Sequence, residues 1–422
     1  MFSRQHWWLR QQLRKVWVHA AAFSVLGILT ALIALWVKQY IPKDLPTSIG
    51  ADAVDDLLRI LATSMLSVTI FSLSTMVSAY ASATSNVTPR ATNLLIEDAT
   101  AQNVLATFVG SFLFSLVGII VLQTGLYGAT GRVVLYVVTL GVIVLIVVTL
   151  LRWIDYVLHL GRVRTTTERV ENATREAIRH RREAPGLGGE LMAERDAVPS
   201  DAEPIDADSF GYVQHVDAES LQELAEQHDL QVFVQALPGS LVDPSAALGA
   251  IQGGASDEVR RRFRKAFTIG DARSFDQDPR FGMCVLSEIA SRALSPALND
   301  PGTAIDVLSR GTRLLASWFE ARDNADTVRF PRVRVPPVDV CDLFDDFFVP
   351  IARDGAAMVE VAVHVQKALV GLARVDARFA TVASHHSRSA LARAEHALSA
   401  PDDRARVQRA AGKIEAVSQR EA

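Results

Sequence analysis

Six serines, Ser64, Ser67, Ser74, Ser78, Ser82 and Ser85, recur along one apolar stretch at steps of three, four and seven. That spacing lines them up on one face of a helix. Phe71 interrupts the stripe, and Ser72 and Thr75 widen it. Two chemistries suit such a face. Small hydroxyl residues let helix backbones approach and bond across one another. Alternatively, the hydroxyls line a wet pathway once subunits associate, replacing part of the water shell of an ion or small solute.

A second group follows in TPRATNLLIEDATAQ. Thr88 is a good N-cap with Pro89 at the first helical position, so a short cytoplasmic helix, or an extension of the next span, starts there. Arg90, Glu97 and Asp98 then stand at the cytoplasmic mouth of whatever the striped helix lines, or simply on a solvated connecting helix. A third group sits around SPALNDPGTAID, where Pro296 ends one helix and Asn299 or Asp300 caps the next at Pro301. Either these residues only shape a helical corner, or Asp278, Arg280, Asn299, Asp300 and Thr303 converge as a polar pocket or subunit contact.

Other reactive side chains carry less. His385 and His386 point about 100° apart on a helix and have no acidic or cysteine partner at i+4, which reads as a solvated face and not a metal site. Cys284 and Cys341 lie far apart and outside any CxxC, so both read as reduced, buried small hydrophobes. No GxSxG, P-loop, GxGxxG, HExxH or Cys–His constellation is present, so no catalytic residue is assigned, no enzyme is expected, and neither metal nor cofactor is implied.

The elements that must position these residues begin in a membrane. Four stretches, at about 16–37, 57–81, 104–126 and 133–157, are long and apolar enough to cross a bilayer. The first reads as an uncleaved signal anchor. Trp7, Trp8, Trp17, Trp36 and Trp153 mark span ends, and ionisable residues such as Lys38, Arg59, Arg152 and Asp155 stay there too. No span carries a mid-membrane charge, which weighs against proton-coupled transporters and voltage sensors. Arg4, Arg10, Arg14 and Lys15 precede the first span and a run of arginines follows the fourth, whereas Asp44, Asp52, Asp55 and Asp56 crowd the first connection. The positive-inside rule therefore places both termini in the cytoplasm. The third span offers a small-residue ridge, Gly110, Ser111, Ser115 and Gly118, while the fourth is apolar all round and should face lipid.

Past the membrane, the chain of 422 residues divides further. Residues 161–209 read as a helical extension and an acidic, Pro- and Gly-rich linker, 210–253 as a small α/β or barrel-like module, and 254–422 as a mainly helical domain. The expected fold class is thus membrane α-helical, a transmembrane domain over residues 1–160 followed by a cytoplasmic α+β region with a helical bundle. A net charge of −4 without a basic field makes nucleic acid an unlikely partner, leaving membrane lipid, further copies of the chain, and an unidentified small molecule.

The runs SLSTMVSAYASATSNVTPRATNLL and DPRFGMCVLSEIASRALSPALNDPGTAIDVL resemble the bacterial predicted-membrane-protein family called domain of unknown function 2254, over most of the chain. The resemblance implies a multi-pass protein of the bacterial inner membrane with a cytoplasmic domain, and no reaction. Two functions are expected to compete: a homo-oligomeric channel or transport protein lined by the serine stripe, and a non-conducting membrane-anchored scaffold or sensor.

Overall fold

A computed structural model describes residues 25, 51–96, 99–124, 128–159, 161–193, 198–320 and 328–418. The expected first span, 16–37, lies outside the described residues apart from Val25, as do Glu97 and Asp98. Helix α1 (Ala51–Asn86) is followed by the short α2 (Pro89–Ile96), then α3 (Ala99–Gln123) and α4 (Gly128–His159). Within them Ala53–Ser82, Thr100–Gln123 and Arg132–His159 are long and apolar enough to cross a membrane. The three pack around Leu58, Met65, Phe108, Phe114, Leu135 and Trp153. Half of the α3 stretch is buried against about a fifth of α1 and of α4, which makes α3 the inner helix. Its small-residue ridge explains why: Gly110, Ser111, Ser115 and Gly118 are all buried, so neighbouring backbones come close. On α4, Val137, Val144, Val147 and Leu151 are exposed, a face suited to lipid.

Helix α4 does not run on unbroken. Gly161 takes φ +78, a left-handed conformation that costs glycine little, and α5 (Val163–Glu183) starts afresh. Its Val170 and Ile178 are buried in the bundle core, so α5 is a structural wall of the domain that follows the membrane helices and not an extension in solvent. The segment expected as a linker also does more: it carries β1 (Gly189–Leu191) and β2 (Glu203–Asp206).

The remaining strands follow as β3 (Gly211–Val216), β4 (Gln231–Val234), β5 (Leu241–Val242), β6 (Ala247–Gln252), β7 (Phe267–Gly270) and β8 (Phe330–Val335). They form two sheets, β1-β8-β4-β6-β2 and β5-β3-β7. The first is mixed, β8 running parallel to both β1 and β4, while β6 is antiparallel to β4 and β2. Helices α6 (Ala218–His228) and α7 (Asp257–Lys265) complete the module. Asp217 caps α6 by accepting from the Ser220 amide at 3.1 Å. The segment PGSLVDPSAALGAI forms both β5 and β6, but β5 joins the small sheet and β6 the large one. The module closes on Val213, Leu221, Val232, Ile251, Phe263 and Val333.

The helical domain contributes α8 (Pro279–Ala293), α9 (Pro301–Ala316), α10 (Val340–Asp354), α11 (Val359–Val375), α12 (Ala380–Ala397) and α13 (Pro401–Ser418). Their shared core holds Leu286, Leu308, Phe344, Phe347, Leu369 and Phe379, and it also takes in Val87 and Ala91 from the membrane-proximal end of α1 and α2. The bundle is therefore built around the segment that leaves the bilayer.

Two side chains sit differently from their sequence reading. Cys341 is exposed, not buried. His385 is exposed as expected, but His386 is buried, its ring against Phe344 and Phe348 and its Nε2 3.4 Å from Asp345 Oδ1. Burial holds the His386 pKa below the ordinary value, although Asp345 pulls the other way and His385 adds to the lowering. An unfolded chain takes up this proton near pH ~6.5, so stability is complete above that pH and is lost as pH falls through the depressed native value. The thermal midpoint should fall between pH 7 and pH 5, and His386→Leu should flatten that slope; an unchanged slope would show that other groups carry it.

Candidate functional site

The C-terminal end of α1 reaches the bundle within one turn. Val87 is fully buried and Thr88 nearly so, and Pro89 opens α2 in the position that needs no amide donor. Beneath them α8 presents Cys284, Ser287, Glu288, Ser291 and Arg292, at i, i+3, i+4, i+7 and i+8, hence on one face. Helix α10 faces them with Asp345, Asp346, Val349, Pro350 and Arg353. Pro350 lies inside that helix and withholds an amide from its ladder. The three surfaces enclose an open cleft of about 760 Å³.

Its charges are largely matched. Glu288 accepts from Thr88 Oγ1 at 2.9 Å and from the Arg90 guanidinium, a contact across two hundred residues of sequence. Asp346 accepts from Arg280 Nε at 2.8 Å, and Asp342 pairs with the same arginine. Burial opposes the Arg280 cation, but the Asp346 hydrogen bond and charge outweigh it and raise its pKa. Arg273 holds Asp278 through two bonds of 2.8 and 3.0 Å and brings Nη1 to 3.6 Å from Cys284 Sγ. The Cys284 thiol is pushed up to about 12, by burial first and then by the Asp346 charge, so it stays protonated at neutral pH and is no nucleophile.

The sequence-derived groups fare unequally. Arg90 is part of the cleft. The five corner residues do not share one site. Asp278 caps the start of α8, accepting from the Phe281 amide at 3.1 Å. Asp300 lies past the other end, donating its amide to the Ala293 carbonyl, and the 15-residue helix between them is about 22 Å long. There Asn299 takes the left-handed φ of 48 and Asp300 caps α9 through the amide and hydroxyl of Thr303, which hold its carboxyl below the usual range. Arg280 alone of the five turns to α10.

On α1 the hydroxyl stripe points away from α3 and α4, the other described membrane helices. Ser67, Ser74, Ser78 and Ser82 are exposed and Ser64 is half-buried, whereas Ser72 is fully buried. For Ser85 the backbone alone is described. At about 100° per residue, the stripe lies about 130° around the helix from the buried face of Met65, Ser72 and Met76. The exposed arc has a second half, Leu66, Ile70, Leu73 and Val77, that is wholly apolar. Ser64 and Ser67 donate to the carbonyls of Ile60 and Thr63 on their own helix, at 2.6 and 3.1 Å, and so draw no support from α3 or α4.

Glu288, Arg292, Asp345 and Arg353 were not singled out in the sequence. The i, i+4, i+8 recurrence of polar residues on α8, within an otherwise apolar helix, is the signal that could have found the first two. No grouping of three or more His, Cys, Asp or Glu with the geometry to hold a metal occurs among the described residues.

No solved structure matches the chain. An uncharacterised protein of Mycobacterium bovis is 29% identical over 269 residues, covering 59% of this chain and 49% of the relative. An uncharacterised protein of Mycobacterium tuberculosis shows the same identity and coverage. The chain thus spans about half the length of the curated relatives it matches. The model of a family described as predicted membrane protein (DUF2254) matches residues 14–370, and the chain belongs to that family.

Proposed function

We propose that this protein is a homo-oligomeric channel or transport subunit of the bacterial inner membrane, with four spans, both termini in the cytoplasm, and a cytoplasmic domain that regulates or assembles it. The carrying observation is the direction of the serine stripe. Ser67, Ser74 and Ser78 face outward, beside a separate apolar strip that suits lipid. A hydroxyl face turned away from α3 and α4 is suited to meet another copy or an aqueous path. Reconstituted in liposomes, the purified chain should pass ions or small solutes, and Ser74→Leu or Ser78→Leu should block the flux. Vesicles that stay tight under every gradient would overturn this reading.

A non-conducting membrane-anchored sensor is the second reading, favoured by the cleft that joins the end of α1 to α8 and α10. A ligand there would act on the same helix through the Thr88, Arg90 and Glu288 contacts. Tight vesicles together with ligand-dependent stabilisation of the chain would select it.

A further inference from the structure

The cleft has a position as well as a composition. Val87 and Thr88 lie five and six residues beyond Ser82, where the apolar stretch of α1 ends. At a helical rise of about 1.5 Å per residue they stand about 8–9 Å past the hydrocarbon boundary. The headgroup layer on each side of a bilayer is roughly 5–7 Å thick, so the cleft opens just past its water-facing edge, within reach of a headgroup. An amphipathic molecule seated there needs apolar walls on one side and charge on the other. Val87, Pro89, Val349 and Pro350 supply the walls.

The cleft contains as many carboxylates as guanidiniums, but the carboxylates are turned to protein partners. Glu288 holds Thr88 and Arg90, Asp346 holds Arg280, and Asp345 faces His386. Arg292 and Arg353 stand exposed at the rim. Arg353 uses Nε and Nη2 on the Asp354 carboxylate, at 2.7 and 2.9 Å, and a guanidinium has five donors. Arg90, more than half exposed, completes an arc of three arginines around one opening. Fixed guanidiniums of this kind match phosphate oxygens, and basic recesses at the cytoplasmic membrane surface suit phospholipid headgroups.

We infer that the cleft between α2, α8 and α10 binds the headgroup of a phospholipid from the cytoplasmic leaflet, its phosphate on Arg90, Arg292 and Arg353 and its glycerol end against Val87, Pro89, Val349 and Pro350. This site is independent of conduction along α1 and stands or falls separately from it.

The test uses the delipidated full chain in detergent. Its thermal midpoint is followed while short-chain dioctanoyl phosphatidylglycerol, dioctanoylglycerol, glycerol 3-phosphate or inorganic phosphate is added, since a ligand that binds only the folded state raises the midpoint. The phospholipid should stabilise the chain, and the other three should not do so at the same concentration. Arg292→Gln combined with Arg353→Gln should raise the lipid concentration needed by about tenfold, Val349→Trp should weaken binding by filling the wall without touching a charge, and Arg409→Gln on α13 should leave it unchanged. Equal protection by glycerol 3-phosphate or inorganic phosphate would make the ligand a soluble phosphate and overturn the lipid assignment. Equal protection by dioctanoylglycerol would remove the arginines from recognition, and unaltered lipid binding in both cleft variants would place the lipid elsewhere; either result overturns the site.

Discussion

Asp278→Ala is expected to be the most damaging single substitution outside the membrane helices, lowering stability by about 3–5 kcal/mol, the cost typical of leaving buried charge without its partner. Asp278 is 1% exposed and does three jobs. It caps α8, it holds Arg273 through both carboxylate oxygens, and its charge supports the buried Arg181 cation. Burial pulls the Arg181 pKa down to about 10 even with Asp278 opposing the drop, so removing the carboxylate strands a second cation as well. The strand module is also seated on this carboxylate. Gly239 has φ +98, and a Cβ there would lie 2.2 Å from Asp278 Oδ2. Asp278→Asn keeps the cap and the shape but not the charge, and should fall between wild type and alanine. Thermal and denaturant unfolding in detergent would measure all three; a loss below about 1 kcal/mol for alanine, the size of an exposed pair, would show that water reaches the cluster.

The second large effect is expected at Glu171. This carboxylate on α5 is 6% exposed and takes Arg310 at 2.5 Å, Arg175 at 2.6 Å and Arg313 at 3.4 Å. Burial works against the Arg310 cation, but its hydrogen bonds to the Asp306 and Glu171 carboxylates overcome it and raise its pKa. Glu171→Ala leaves Arg310, itself 9% exposed, with the half-exposed Asp306 at 2.7 Å and the partly exposed Glu168 at 3.7 Å. A loss of about 2–4 kcal/mol follows, somewhat less than for a fully orphaned buried charge. The double change Glu171→Leu with Arg310→Met removes both charges and fills the space, and should cost less than Glu171→Ala alone. Additive losses would instead mean that the two residues act independently.

Most elements could be read from the sequence where pattern and capping agree locally. Alternation in GYVQHV gives β3, Asp217 starts α6, and the i, i+3, i+4 spacing of PRFGMCVLSEIASRA gives α8. Strands β1 and β2 were missed because each has at most four residues among Pro and Gly, too few for a period to show. Partnership was equally hidden. Nothing local in Val232 announces a parallel neighbour at Val333, and nothing in Thr88 announces Glu288. The serine stripe shows the same limit: its spacing fixed a face, but which way that face turns depends on α3, whose buried ridge takes the other side of α1. His386 is buried because α10 brings Phe344 and Phe348 over it, although its own helix carries polar neighbours on both sides.

The position of β8 also dictates an order of assembly. It lies between β1 and β4 in the large sheet, yet it is made some hundred residues after β4, once α8 and α9 have been synthesised. A growing chain that has emerged only as far as Phe319 has its membrane helices, β6 already beside β4, and a bare strand edge on each side of a missing partner. Such edges invite pairing with other chains. The strand module of this protein therefore cannot mature during translation ahead of α8 and α9, and the ribosome must release Val335 before the exposed edge is sealed.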